Sequence, residues 1–134
     1  MSNREAILPK SSERHALYEA HGYSAAMKSG DLLFVSGQVG SKLDGSPEPD
    51  FKKQVTLAFE NLKNVLAAAG CSFEDIVDVT TFHTDPEQQI EAIMEVKQTQ
   101  FNTTPPSNWT AVGVNWLAGF DFEIKVIARV PSAK

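Results

Sequence analysis

Three separated stretches of this chain carry residues that could hold or act on a small molecule. They are Gly22-Tyr23-Ser24-Ala25-Ala26, Phe34-Val35-Ser36-Gly37-Gln38-Val39, and Asn108-Trp109-Thr110-Ala111-Val112-Gly113-Val114 followed by Phe122-Glu123-Ile124. A carboxylate such as Glu123 can move a proton near neutral pH if burial raises its pKa. The competing reading pairs it with Lys125 or Arg129, or leaves it solvated on a strand face. Gly37 would let a ligand or a neighbouring backbone approach closely, and its N–H could bind a ligand oxygen; a simple β-bulge would use a glycine equally well. Trp109 offers one neutral N–H and a broad apolar face, and Asn108 a short amide. Neither can do what a guanidinium does, which is to grip a carboxylate through two parallel charge-assisted hydrogen bonds. In a partly desolvated cleft these residues favour a neutral, flat or partly apolar ligand. Core or interface packing is the alternative role for Trp109.

Composition narrows the function classes. A chain of 134 residues suits one domain, 1–134, with a real core. Twelve basic against 17 acidic residues give a net charge of −5, which disfavours nucleic-acid and anionic membrane surfaces. No apolar run approaches a membrane span, and Met-Ser-Asn-Arg-Glu-Ala at the start is unlike a signal peptide. Cys71 is the single cysteine, so no internal disulfide can form. A cytoplasmic location is the expectation. Cys71 reads as a half-buried structural thiol, with no His or Arg beside it in sequence. His15, His21 and His83 have no metal-ligand spacing, and no Ser-His-Asp signature, P-loop or dinucleotide-binding glycine pattern occurs. No metal and no cofactor are expected.

The elements that must position these residues follow from periodicity. Residues 1–20 read as an irregular or partly extended arm. A short strand over 23–28, the Ser29-Gly30-Asp31 turn and a strand over 32–39 make a hairpin. Residues 40–50 form a loop. Apolar residues at three- and four-residue steps predict a helix over 51–69, with Asp50 as its cap and Gly70 past its end. A strand covers 76–84, and His83 alternates there with Val77, Val79 and Thr81, as a packing or subunit-contact residue would. Asp85-Pro86-Glu87-Gln88 opens a second helix, with Asp85 as cap, whose apolar face is Ile90, Ile93, Met94, Lys97 and Phe101; Pro105 and Pro106 stop it. The last strands cover 109–114 and 122–130. The order β-β-α-β-α-β-β gives an α+β fold with a mixed sheet and two helices on one face. The opposite face then needs a partner, which implies assembly.

The order and spacing of the three stretches resemble the YjgF/RidA family, also called Rid or RutC, and within it the YjgH-type branch. The resemblance implies a chorismate-mutase-like fold whose three sheets form a central barrel in a homotrimer, with small-molecule clefts between subunits. The RidA branch has a Pro-Ala-Arg-Ser element whose arginine holds the carboxylate of an imine substrate. Here the chain reads Pro106-Ser107-Asn108-Trp109-Thr110. Anchoring on Val112-x-Val114 puts Trp109 at the arginine's place; anchoring on Pro106 puts Asn108 there. By the same resemblance, Glu123 positions or activates the attacking water, Tyr23 faces a neighbouring subunit's cleft, Ser36 and Gly37 belong to a Ser-Gly-Gln turn, and Ala111 stands where a cysteine is common.

Two functions are expected on this basis. One is a deaminase-like hydrolase of an imine or enamine, not efficient on 2-iminopropanoate because the arginine is absent. The other is a non-catalytic ligand-binding or stress-related trimer that uses the same cleft.

Overall fold

The computed structural model describes residues 3–132; the two residues at each end of the 1–134 domain, including the first two of the N-terminal arm, lie outside them. The arm is more regular than its sequence suggests. It contributes an edge strand, β1 (Arg4–Ile7), and a short helix, α1 (Leu17–His21), which ends on Gly22 at φ 68°. Two charged residues followed by two apolar ones give β1 no alternation, and only its pairing with β2 (Ala26–Ser29) makes it a strand.

The remaining elements are β2 (Ala26–Ser29), β3 (Leu32–Val39), α2 (Phe51–Ala68), β4 (Ile76–His83), α3 (Pro86–Gln100), β5 (Thr110–Gly113) and β6 (Phe122–Arg129). Among the described residues the strands form one mixed sheet of order β1-β2-β3-β6-β4-β5. Only β4 and β5 run parallel, joined through α3. That connection demands a crossover, and the helix supplies it.

Helix α2 begins where Asp50 accepts a hydrogen bond from the Lys53 N–H at 3.0 Å. Its Val55, Ala58, Phe59, Leu62, Val65 and Leu66 are buried against the inward residues of β3 and β6. Burying each large apolar side chain contributes about 1.5–3 kcal/mol before entropy is counted. Phe122, Ile124, Val126 and Ala128 face this layer, while Glu123, Lys125, Ile127 and Arg129 face away.

Helix α3 differs from its sequence reading at the start. Asp85 makes no side-chain cap; instead Gln89 Oε1 accepts from the Asp85 N–H at 3.0 Å and Gln89 Nε2 donates to Thr84 Oγ1 at 3.0 Å. Gln89 is held down by these bonds and is buried together with Ile93 and Val96, so the inward stripe is rotated from the expected one. Ile90 and Met94 are left substantially exposed. In β4 a register shift between Ile76 and Asp78 reverses the alternation, so Val77 is exposed while Val79, Thr81 and His83 are buried.

The face of the sheet away from the helices carries exposed Phe34 and Val112. Strand β5 is exposed along its length and leaves one edge unpaired among the described residues. Both features suit a surface that meets another chain.

Candidate functional site

Glu123, Gly37 and Tyr23 come together on the sheet face away from α2 and α3, beside the short helix α1. They line a pocket of about 320 Å³ together with Leu17, His21 and Phe120. The local cause is a bulge in β3. The register with β6 slips between Val35 and Gln38, so Ser36 and Gly37 stand opposite the Ile124-to-Val126 step. The bulge opens the strand beside Glu123, and Gly37 leaves a gap there. A methyl group built on Gly37 would meet Glu123 Oε2 at 2.5 Å and Cγ at 2.8 Å, inside any normal contact. The bulge and ligand-approach readings of Gly37 therefore describe one feature.

Burial raises the pKa of the Glu123 carboxyl, and the charge of Lys125 only partly offsets this. Among the described residues no ion pair reaches Glu123, so the pairings with Lys125 and Arg129 do not form; Arg129 pairs with Asp31 instead. Tyr23 is also pushed up, first by burial and then by the negative charge of Glu123, which ties the two groups electrostatically.

Ser36 serves the scaffold. Its Oγ donates to the Ser24 carbonyl at 2.8 Å and its N–H to the Ala25 carbonyl at 2.9 Å, fixing the segment that carries Tyr23. Behind it, Gln38 is buried, accepting from the Tyr18 hydroxyl at 2.8 Å and donating to the Ser36 carbonyl at 3.1 Å. Tyr18 meets the Tyr23 ring edge-on at 5.2 Å. This buried support was not singled out in the sequence; the polar Gln38 between apolar strand residues was its only signal.

The Asn108–Ala111 stretch divides between the two faces. Phe82 pairs with both Glu123 and Val112, so all three share a face. Counting back along β5 in steps of two puts Thr110 on that face, and Asn108, which precedes the strand, reaches Asp78, the residue opposite the outward-facing Ile127. Asn108 Nδ2 donates to Asp78 Oδ1 at 3.0 Å. Trp109 and Ala111 point the other way, into a second pocket of about 300 Å³ shared with Thr81, His83 and Met94. Trp109 Nε1 donates to Thr81 Oγ1 at 3.0 Å, and its ring meets Phe101 edge-on at 5.5 Å. Of the two residues that could stand in the arginine's place, Asn108 is thus the one on the Glu123 face.

The loop between β5 and β6 adds a wall that no motif in the sequence marks. Leu117, Ala118 and Phe120 close one side of the Glu123 pocket. Ala118 sits at φ 55°, a conformation unusual for a residue other than glycine, asparagine or aspartate. Gly119 beside it marks a turn, but nothing in the sequence says that the turn folds over Glu123.

Cys71 is buried and its thiol is pushed up by burial, as befits a structural thiol. Among the described residues no cluster of His, Cys, Asp and Glu could hold a metal ion. No helix among them is long and apolar enough to cross a membrane.

Comparison with known proteins gives a consistent picture. Residues 13–130 match the family model described as endoribonuclease L-PSP. The chain is 67% identical over 131 residues to the RutC family protein YjgH of Escherichia coli K12, covering 98% of each. The solved structure of protein YJGH superposes with a TM-score of 0.94 at 66% identity, covering 98% of this chain and 100% of that one. The crystal structure of E. coli TdcF with bound serine superposes with a TM-score of 0.80 at 29% identity, covering 93% and 98%.

Proposed function

The chain belongs to the YjgF/RidA family, the RutC proteins matched by the endoribonuclease L-PSP model, and from that premise we propose that it is a homotrimer with a small-molecule cleft between subunits, where a neutral imine or enamine is hydrolysed. The observation that carries the reading is the Glu123 carboxylate, lodged against Gly37, half-buried, with a raised pKa and no ion-pair partner among the described residues. A carboxylate so placed is poised to take a proton from water. Water adds to the C=N carbon while its proton passes to Glu123. Glu123 returns that proton to the nitrogen to give the carbinolamine, then takes the hydroxyl proton and passes it to the amino group, which leaves as ammonia while the C–O bond becomes the carbonyl of the product. Tyr23 closes one side of the cleft, the Ser36-Gly37 bulge shapes its floor, and Asn108 with Thr110 supplies the wall where a carboxylate-binding arginine would stand.

An amide at that place selects for neutral substrates. The solved TdcF relative carries a bound serine, which supports a cleft of this size for small metabolites. The same chemistry argues against RNA, because a net charge of −5 and a carboxylate in the cleft repel phosphate. The exposed Phe34 and Val112 on the face away from the helices support assembly, and the lack of a long apolar helix among the described residues accords with a cytoplasmic protein.

Ammonia release from freshly generated imines tests the reading. Neutral imines should be turned over and 2-iminopropanoate hardly at all. Efficient release from 2-iminopropanoate would show that another cation serves the cleft. Saturable binding without release from any imine would favour the second reading, a non-catalytic binding trimer, for which the amide in place of a guanidinium is the supporting observation.

A further inference from the structure

Helix α1 ends in a turn that sends two side chains to one pocket. Gly22 adopts φ 68° and its N–H bonds the Tyr18 carbonyl; glycine takes that left-handed conformation at no steric cost. The Tyr23 N–H reaches the same carbonyl at 3.0 Å. His21 and Tyr23, on either side of the glycine, both line the pocket of about 320 Å³ that holds Glu123. The two differ in support. Buried Tyr18 meets the Tyr23 ring edge-on at 5.2 Å. The His21 side chain is exposed and makes no hydrogen bond or ion pair among the described residues. It is also the one basic side chain that the described residues give to the pocket lining. Tyr23 and Glu123 are the other titratable groups there, and Leu17, Val39 and Phe120 supply apolar walls.

An imidazole keeps at least one N–H in either tautomer and in either charge state, so His21 always has a donor to offer. One N–H matches one carbonyl oxygen; it cannot give a carboxylate the two parallel bonds of a guanidinium. A carboxylate in this pocket would also meet the charge of Glu123, which a carbonyl does not. We propose, resting on the hydrolase reading of the pocket, that His21 sets substrate choice by donating its ring N–H to a carbonyl oxygen carried next to the imine carbon. The preferred substrates are then imines of 2-oxo amides and esters, with an apolar substituent against Leu17, Val39 or Phe120. His21 holds the substrate and takes no part in the proton transfers of Glu123.

Pyruvamide is the probe, because its adjacent carbonyls reproduce the hydrolysis product of such an imine. It should bind the assembled protein saturably and shift the His21 ring resonances. His21→Leu should weaken it about five- to tenfold, the worth of one hydrogen bond. His21→Gln, which restores an N–H donor, should recover most of that loss. In turnover, the ratio of kcat/KM for 2-iminopropanamide to that for the imine of acetone should fall by the same factor in His21→Leu. Equal affinity of wild type and His21→Leu for pyruvamide, or no binding at millimolar pyruvamide, would overturn the proposal even where ammonia release upholds the hydrolase reading. So would an unchanged substrate ratio, which would mean that His21 only keeps the pocket wall in shape. Binding of pyruvamide that depends on His21, with no ammonia from any imine, would support the contact and remove the hydrolase reading alone.

Discussion

The Glu123 carboxylate occupies the space that a side chain at Gly37 would fill. The β3 bulge and the acidic residue of β6 are thus two halves of one feature, and neither can change without the other moving. Gly37→Ala should leave the sheet intact, because the clashing atoms belong to the end of a flexible side chain. It should still push the carboxylate out of position. A displacement near 1 Å costs on the order of 10²-fold in turnover. Circular dichroism and imine hydrolysis on the same preparation check both halves; normal turnover would mean that the position of the carboxylate does not matter.

Glu123 should weaken the folded state at neutral pH. Its folded pKa lies above the ordinary 4.5, chiefly through burial. A carboxyl shifted this way contributes stability that is complete below pH 4.5 and is lost as pH rises through the raised value. Glu123→Gln removes the ionisable group, so the variant should melt above the wild type at pH 7. The gap should narrow as pH falls toward 4.5. A variant that melts below the wild type at pH 7 would show that the carboxylate is stabilised by a partner.

Trp109 and Asn108 should respond differently to arginine. Trp109 packs on Phe101 and bonds Thr81 on the helix face. Trp109→Arg should therefore cost about 3 kcal/mol or more in stability, the usual effect of losing a packed aromatic, and bring no gain in acid binding at the Glu123 cleft. Asn108 is exposed, so Asn108→Arg should be tolerated and should tighten binding of small 2-keto acids about tenfold, the worth of a charge-assisted pair. Thermal melting and pyruvate titration of the two variants decide the matter. Tighter pyruvate binding by Trp109→Arg alone would place the indole in the cleft.

Much of this architecture was legible in the residues. The helix over 51–69 announced itself through its apolar steps and its Asp50 cap, and the alternation of 122–130 correctly separated Glu123 from the buried Phe122 and Ile124. What escaped was whatever depends on register. The bulge in β4 reversed Val77, and the side-chain bonds of Gln89 turned α3 so that Ile90 and Met94 became pocket walls. Neither event has a local signature. The three site stretches were visible as short strings, but the face on which each side chain emerges was not. Trp109 and Asn108 are neighbours in sequence and look out on opposite sides of the sheet, so one residue of slip reverses their roles.

The most direct test compares wild-type protein with Glu123→Gln on the neutral imine that the wild type hydrolyses best, with ammonia release followed alongside sedimentation of both proteins. Both should sediment as trimers, and release by the variant should fall by at least the 10²–10⁴-fold typical of a lost general base. Undiminished release from a trimeric Glu123→Gln protein would contradict the assignment of Glu123 as the group that handles the proton.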